Sequence, residues 1–280
     1  PARALDWPGV LLASAGLSLL LVPLLAGPAR GWPAWTFASL ALAALVLAGF
    51  ARVERRRPAP LVDLALFGQR RFALGTAVVL LVYSTASAFF LCFALLLQAG
   101  FGASPLLSGS VFAPASVGFV AASMAAPRLV ARFGHAVLAV AALLYAAAHA
   151  ALLLQVATAQ AALVPWRLIP ALILLGLAQG MLMTPLLNLI LGLVREAHAG
   201  MASGLVATMQ QVGGAFGIAI AGMFFQPALQ AAGDSTRRYA DAFAGAMGYN
   251  LAAALVCALL LLALARPAAR KPASALHTVR

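Results

Sequence analysis

The sequence predicts an all-α polytopic membrane protein with eight transmembrane helices, and three observations predict it. Eight apolar stretches, at 8–26, 34–51, 72–99, 105–127, 136–157, 168–193, 200–226 and 244–265, hold 18 to 28 residues each. A hydrocarbon core about 30 Å thick needs roughly 20 residues at about 1.5 Å of rise per residue. All six acidic and all eighteen Lys and Arg side chains fall in the strips between those stretches. The composition is 64% apolar and 9% charged, whereas a soluble domain carries about a quarter charged residues. Only helices satisfy every backbone N–H and C=O within such segments, and a spanning β-barrel would alternate polar and apolar positions.

The first stretch resembles a secretory signal, with Ala26-Gly27-Pro28-Ala29 as a cleavage site, but its 19 residues exceed a usual signal core and seven spans follow. It reads as a helix. Gly31-Trp32 turns the chain into the second span. The connection 52–71 holds Glu54, Arg55, Arg56, Arg57, Pro58 and Pro60, a charged and proline-broken linker, and 61–67 is expected to form a short interfacial helix. The linker separates a leading pair of helices (1–51) from a group of six (72–265). The turns at 100–104 and 227–243 need no structure beyond closing hairpins. Pro114 in the fourth span and Pro185 in the sixth remove backbone hydrogen bonds to Ser110 and Met181 and are expected to bend their helices. The chain begins on Pro1 rather than Met, which suggests a piece of something longer.

Charge counting orients the spans. With both termini cytoplasmic, the inner strips hold 14 basic residues: Arg3, Arg52, Arg55, Arg56, Arg57, Arg70, Arg71, Arg128, Arg132, Arg195, Arg266, Arg270, Lys271 and Arg280. The outer strips hold four, Arg30, Arg167, Arg237 and Arg238. Positively charged short loops stay inside. The net charge of +12 is divided among these strips rather than gathered on one helix face, which argues against nucleic acid as a partner. Cys92 and Cys257 both lie in apolar stretches and read as packing residues, not as a disulfide or metal framework.

Polar residues inside a span either pair with another helix or face water. In the seventh span Gln210, Gly214, Gly217 and Ala221 recur at helical spacing, and Gly213 and Gly217 form a GxxxG pair. Packing is the favoured reading of these glycines over ligand contact. Gln210 and Gln211 are adjacent amides pointing in different directions, so at least one is expected to line a cavity. In the sixth span Gln179 lies near the middle, with Gly176 and Gly180 as another GxxxG pair, Met181 and Met183 nearby and Asn188 toward the inner end. Tyr83, Ser84, Thr85 and Gln98 in the third span, and Tyr145 and His149 in the fifth, complete the set. Methionines and aromatics at such positions are usually core filler, and at a cavity they offer adaptable surface. His149 is the only group within a span that titrates near neutrality; a hydrogen bond to a neighbouring helix is favoured over a proton carrier. The cavity candidates are Tyr83, Gln98, Gln179, Met183, Gln210 and Gln211.

Asp6-Trp7-Pro8-Gly9, Gly31-Trp32, Glu54 followed by Pro60-Leu61-Val62-Asp63-Leu64 and Phe67, Leu95-Leu96-Leu97-Gln98, Gly102-Ala103-Ser104-Pro105 and Pro114 together resemble the fourteen-helix major facilitator exporters of the EmrB/QacA type. Gly200-Met201-Ala202-Ser203-Gly204 and Gln210-Gln211-Val212-Gly213-Gly214-Ala215-Phe216-Gly217 are similar to that family's penultimate helix. In the cytoplasmic loop motif of facilitators, Arg132 and Gly134 of 127–135 fit; Pro127, Ala131 and His135 stand where a Gly, an acid and a basic residue are usual. A salt-bridge latch and a plain arginine-anchored turn remain equal alternatives there.

The resemblance implies a facilitator half of inverted three-helix repeats, 72–157 and 168–265, preceded by two linker helices and followed by a cytoplasmic tail, 266–280, with a substrate cavity near the midplane facing an N-terminal half of the same transporter. It implies a bacterial cytoplasmic membrane protein without cofactor that uses the proton gradient to export drug-like or amphipathic small molecules. No Asp or Glu lies at depth, so the proton-binding acid is expected in the other half. A non-transporting scaffold or assembly subunit is the alternative. HExxH, GxSxG and an intramembrane aspartate pair are all absent from the sequence, so an enzyme is not expected.

Overall fold

A computed structural model describes residues 7–56, 63–194, 199–230 and 235–265. The remaining residues, and with them Arg3, Arg57, Pro58, Pro60, Leu61, Val62, Arg195 and the basic tail of the sequence analysis, lie outside the described part. Eight helices are long and apolar enough to cross a membrane: α1 (Trp7–Ala26), α2 (Ala34–Glu54), α3 (Arg70–Ala94), α4 (Pro105–Phe133), α5 (Ala136–Ala159), α6 (Ile169–Gly192), α7 (Ala199–Gln230) and α8 (Ser235–Ala265). No strand occurs among the described residues. The chain is a multi-pass membrane protein of the all-α class.

The helices overrun the apolar stretches, and this corrects two expectations. The first concerns the inner segment 127–135, which is not a loop: α4 continues through Pro127, Arg128 and Arg132 to Phe133, and the turn is confined to Gly134 and His135. Gly134 adopts φ 67°, a left-handed conformation that a side chain disfavours. The second is the outer turn placed at 227–243. Pro227 lies inside α7, while Arg237, Arg238 and Asp241 belong to α8. Long side chains carry their charge to the interface, so a helix need not stop where the hydrocarbon does. Within 61–67, where a short interfacial helix is expected, the described part is a 3-10 helix, Leu64–Gly68, with the Asp63 carboxylate accepting from the Ala65 N–H at 3.0 Å.

The third span ends unusually. Beyond Ala94 the backbone widens into a π-helical turn, Leu95–Gly100, closed by Phe101 N–H donating to Leu96 O at 3.1 Å and Ala103 N–H to Leu97 O at 2.8 Å. Thr236 Oγ1 at the start of α8 donates to Gly100 O at 2.9 Å. Ser104 then caps α4, its Oγ accepting from Leu107 N–H at 3.2 Å with Pro105 at the first helical position.

In the six-helix group α3 packs chiefly on α7, α4 on α6 and α5 on α8. Exchanging α3, α4 and α5 for α6, α7 and α8 maps this pairing onto itself. Phe72, Phe89, Tyr145, Phe225 and Phe243 are fully buried in the shared core. Helices α1 and α2 pair with each other, and α1 reaches the group through Leu24, which meets Ala215 and Ala219 of α7.

Candidate functional site

Two close helix contacts set the walls of a cavity. On α6, a Cβ added to Gly176 would collide with the Ala115 carbonyl of α4, and one on Gly180 with the Phe119 carbonyl. On α7, Gly213 and Gly217 meet the Leu80 and Ser84 carbonyls of α3 in the same way. Backbones at such spacing gain dispersion contacts along their length, which is how glycine pairs hold helices together in lipid. Gly214, between the two α7 glycines, faces Ser87 Oγ, 2.9 Å from where its Cβ would stand.

Between the α4–α6 pair and α3 lies a cavity of about 460 Å³. Helix α3 contributes Tyr83, Ser87 and Phe90, at i, i+4 and i+7; α4 contributes Phe112, Ser116 and Phe119, again at i, i+4 and i+7; α6 contributes Leu175, Gln179 and Met183. Pro114 belongs to α4 one residue before the Ala115 contact, and Pro185 is buried in α6 two residues beyond Met183. No Asp, Glu, Lys, Arg or His lines the cavity among the described residues. Its walls are aromatic and aliphatic with four neutral polar side chains, the makeup of a site that takes an apolar body and orients it by a few hydrogen bonds.

The cavity therefore gathers three of the six candidates, Tyr83, Gln179 and Met183. Gln210 joins at one remove, its Nε2 donating to Tyr83 Oη at 2.8 Å. Gln211 is exposed on another face of α7, and Gln98 is exposed in the π-helical turn at the end of the third span. Neither reaches the cavity: neighbouring residues on a helix diverge by about 100°, and the widened turn alters the register that straight spacing assigns to Gln98. Arg132 and Gly134 sit at the α4–α5 turn, where the Arg132 guanidinium lies 5.2 Å from the Phe133 ring centroid. Ser87, Phe90, Phe112, Ser116 and Phe119 went unnoticed in the sequence, although their i, i+4, i+7 recurrence on two consecutive spans is a readable signal.

Behind the cavity wall, α3 turns a second set of hydroxyls toward α5 and α8. Ser84 Oγ and Tyr249 Oη are 2.6 Å apart, Thr85 Oγ1 and Tyr145 Oη 3.1 Å, and Asn250 Nδ2 donates to Thr85 O at 3.0 Å. The buried His149 was expected to bond a neighbouring helix. Its Nδ1 instead meets Tyr145 O of its own helix at 2.9 Å, the i−4 carbonyl within reach of a helical side chain.

A bundle of this kind, eight long apolar helices with a neutral cavity beside glycine-locked helix pairs, defines a polytopic membrane protein of the all-α class. The chain belongs to the Major Facilitator Superfamily, whose family model matches residues 3–218. It is similar to a probable actinorhodin transporter of Streptomyces coelicolor, 36% identical over 225 residues that cover 79% of this chain and 39% of the relative. It is similar to the puromycin resistance protein pur8 of Streptomyces alboniger, 35% identical over 265 residues, 93% of this chain and 52% of the relative. The cephamycin export protein CmcT of Amycolatopsis lactamdurans is 31% identical over 264 residues, 91% and 53%. The chain thus spans about half the length, or less, of these relatives.

Proposed function

We propose that this chain is the C-terminal portion of a proton-coupled exporter of drug-like or amphipathic small molecules. The observation that carries the reading is the neutral, aromatic-walled cavity of about 460 Å³ among the middle turns of α3, α4 and α6, a volume within the range of small-molecule sites. The names of the relatives, which speak of actinorhodin transport, puromycin resistance and cephamycin export, support the same class of cargo. In this reading the protein is of the fourteen-helix EmrB/QacA type, α1 and α2 are its linker helices, and α3–α5 and α6–α8 are the two repeats of its second half. An N-terminal half closes the cavity from the other side and supplies the proton-carrying acid. The excess of arginine in the inner strips supports a bacterial cytoplasmic membrane location with both termini inside.

Proteoliposomes bearing the intact transporter test this. Addition of an exported compound should release protons in proportion to its uptake, and dissipating the gradient should stop accumulation. Uptake that persists unchanged without a proton gradient overturns the coupling. Absence of uptake for every amphipathic compound tried, with specific binding also absent, overturns the export reading.

A further inference from the structure

We propose that Tyr83, oriented by Gln210, is the hydrogen-bond donor with which this wall of the cavity selects flat aromatic molecules bearing a carbonyl-type oxygen over planar cations. The inference rests on the cavity being the substrate site and adds a specificity-determining pair to it.

A phenol oxygen carries one hydrogen and two acceptor positions. Gln210 Nε2 donates to the Tyr83 oxygen at 2.8 Å, so one acceptor position is used from the α7 side. Tyr83 itself lines the cavity, and no other hydrogen bond to its hydroxyl occurs among the described residues, so its O–H is left to donate. A hydroxyl whose acceptor side is engaged is also a better donor, since hydrogen bonds in series polarise one another. The Gln179 amide and Ser87 Oγ line the same cavity and have no partner among the described residues. They add two further polar groups to the lining, Ser87 from α3 and Gln179 from α6.

Phe90 of the same helix as Tyr83, with Phe112 and Phe119 of α4, supplies the aromatic part of the lining. Phe90 and Phe112 meet edge to face with centroids 5.1 Å apart, a geometry that presents ring surface to a flat guest. For a cation, ring faces return only part of what it costs to desolvate an ion without a countercharge. This lining holds no carboxylate to supply one. A neutral ring with an acceptor oxygen avoids that cost and gains the Tyr83 donor, so the balance of this lining favours it.

The intact transporter in proteoliposomes, assayed with a hydroxyanthraquinone and with ethidium as flat probes, tests the pair. Tyr83→Phe should lower the ratio of kcat/KM for the quinone to that for ethidium about fivefold to tenfold, through the quinone KM, and leave the melting temperature close to wild type. Gln210→Leu should lower the quinone value severalfold in the same direction, since the ring loses its orienting partner. An equal fall for both probes, or an unchanged quinone KM in Tyr83→Phe, overturns this inference while leaving export intact. If the wild-type protein neither transports nor binds either probe, the substrate-site reading of the cavity fails and the selectivity falls with it.

Discussion

Gly217 of α7 lies so close to the Ser84 carbonyl of α3 that no Cβ fits between them, and Ser84 Oγ in turn meets Tyr249 Oη of α8 at 2.6 Å. The missing side chain sets the spacing of α7 and α3, and the hydroxyl of that same Ser84 ties α3 to α8. Tyr83, one residue before Ser84, is carried to the cavity by the same arrangement, so packing on α7 and the position of a cavity residue are not independent.

Replacing Gly217 with Ala therefore forces two backbones apart rather than displacing a flexible side chain. Overpacking of this kind costs about 1 to 3 kcal/mol. We expect Gly217→Ala to lower the detergent melting temperature by several degrees and to weaken transport. Gly204→Ala on the same helix, where nothing lies within 4 Å of the added Cβ, should be neutral or slightly stabilising because Ala favours the helix. Equal melting temperatures for the two variants would show that the α3–α7 contact is not tight.

His149 is fully buried, its Nδ1 meets a carbonyl of its own helix, and its Nε2 has no partner among the described residues. The ring packs edge-on against Tyr145 at 4.4 Å and against Phe89 at 6.3 Å between centroids. These contacts ask for a flat, neutral side chain and not for a charge. We expect His149→Phe to keep proton-coupled transport within about twofold and to change stability by less than about 1 kcal/mol, the scale of a single hydrogen bond in a membrane interior. Loss of substrate-driven proton release with the protein still folded would make the histidine a proton carrier after all.

The eight spans were readable because length and apolarity alone set a transmembrane helix. Their ends were less so. Arg128, Arg132, Arg237 and Arg238 mark the edge of the hydrocarbon, yet each lies within a helix that continues past it. Of the adjacent pair Gln210 and Gln211, the former pairs with Tyr83 and the latter is exposed; which of the two turns inward depends on the rotation of α7, a property of its packing on α3. Gln98 shows a different limit, because the wider turn of Leu95–Gly100 interrupts helical spacing without any proline or glycine inside it until its last residue. Tyr83, Gln179 and Met183 could be picked out as polar or soft side chains at mid-span, but the cavity's phenylalanines look like core until the neighbouring helices are in place.

At the α4–α5 turn the motif glycine has a local cause. Gly134 holds φ 67° between Phe133 and the start of α5, and its N–H donates to Val130 O at 2.8 Å. With ψ −160° this is a backbone region essentially reserved for glycine, where a residue with a Cβ costs about 1 to 3 kcal/mol. We expect Gly134→Ala and Gly134→Asn both to lower stability by about that amount, measured by thermal unfolding of the purified protein. If both are tolerated without loss, the positive φ is not what the position requires.

The sidedness inferred from arginine makes a prediction that packing cannot supply. Arg56 and Arg132 are exposed at ends of α2 and α4 assigned to the cytoplasm, while Arg30 and Arg167 are exposed on turns assigned to the opposite face. Cys92 and Cys257 are buried, so a charged maleimide should find little background reaction. In intact cells expressing the full transporter, Arg30→Cys and Arg167→Cys should label from outside, and Arg56→Cys and Arg132→Cys only after permeabilisation. Each pair of consecutive turns is separated by one span, so the alternation must hold at all four sites. Labelling of Arg56→Cys and Arg167→Cys from the same face would break the count of spans between them, and the assignment of the arginine-rich strips to the cell interior would fall with it.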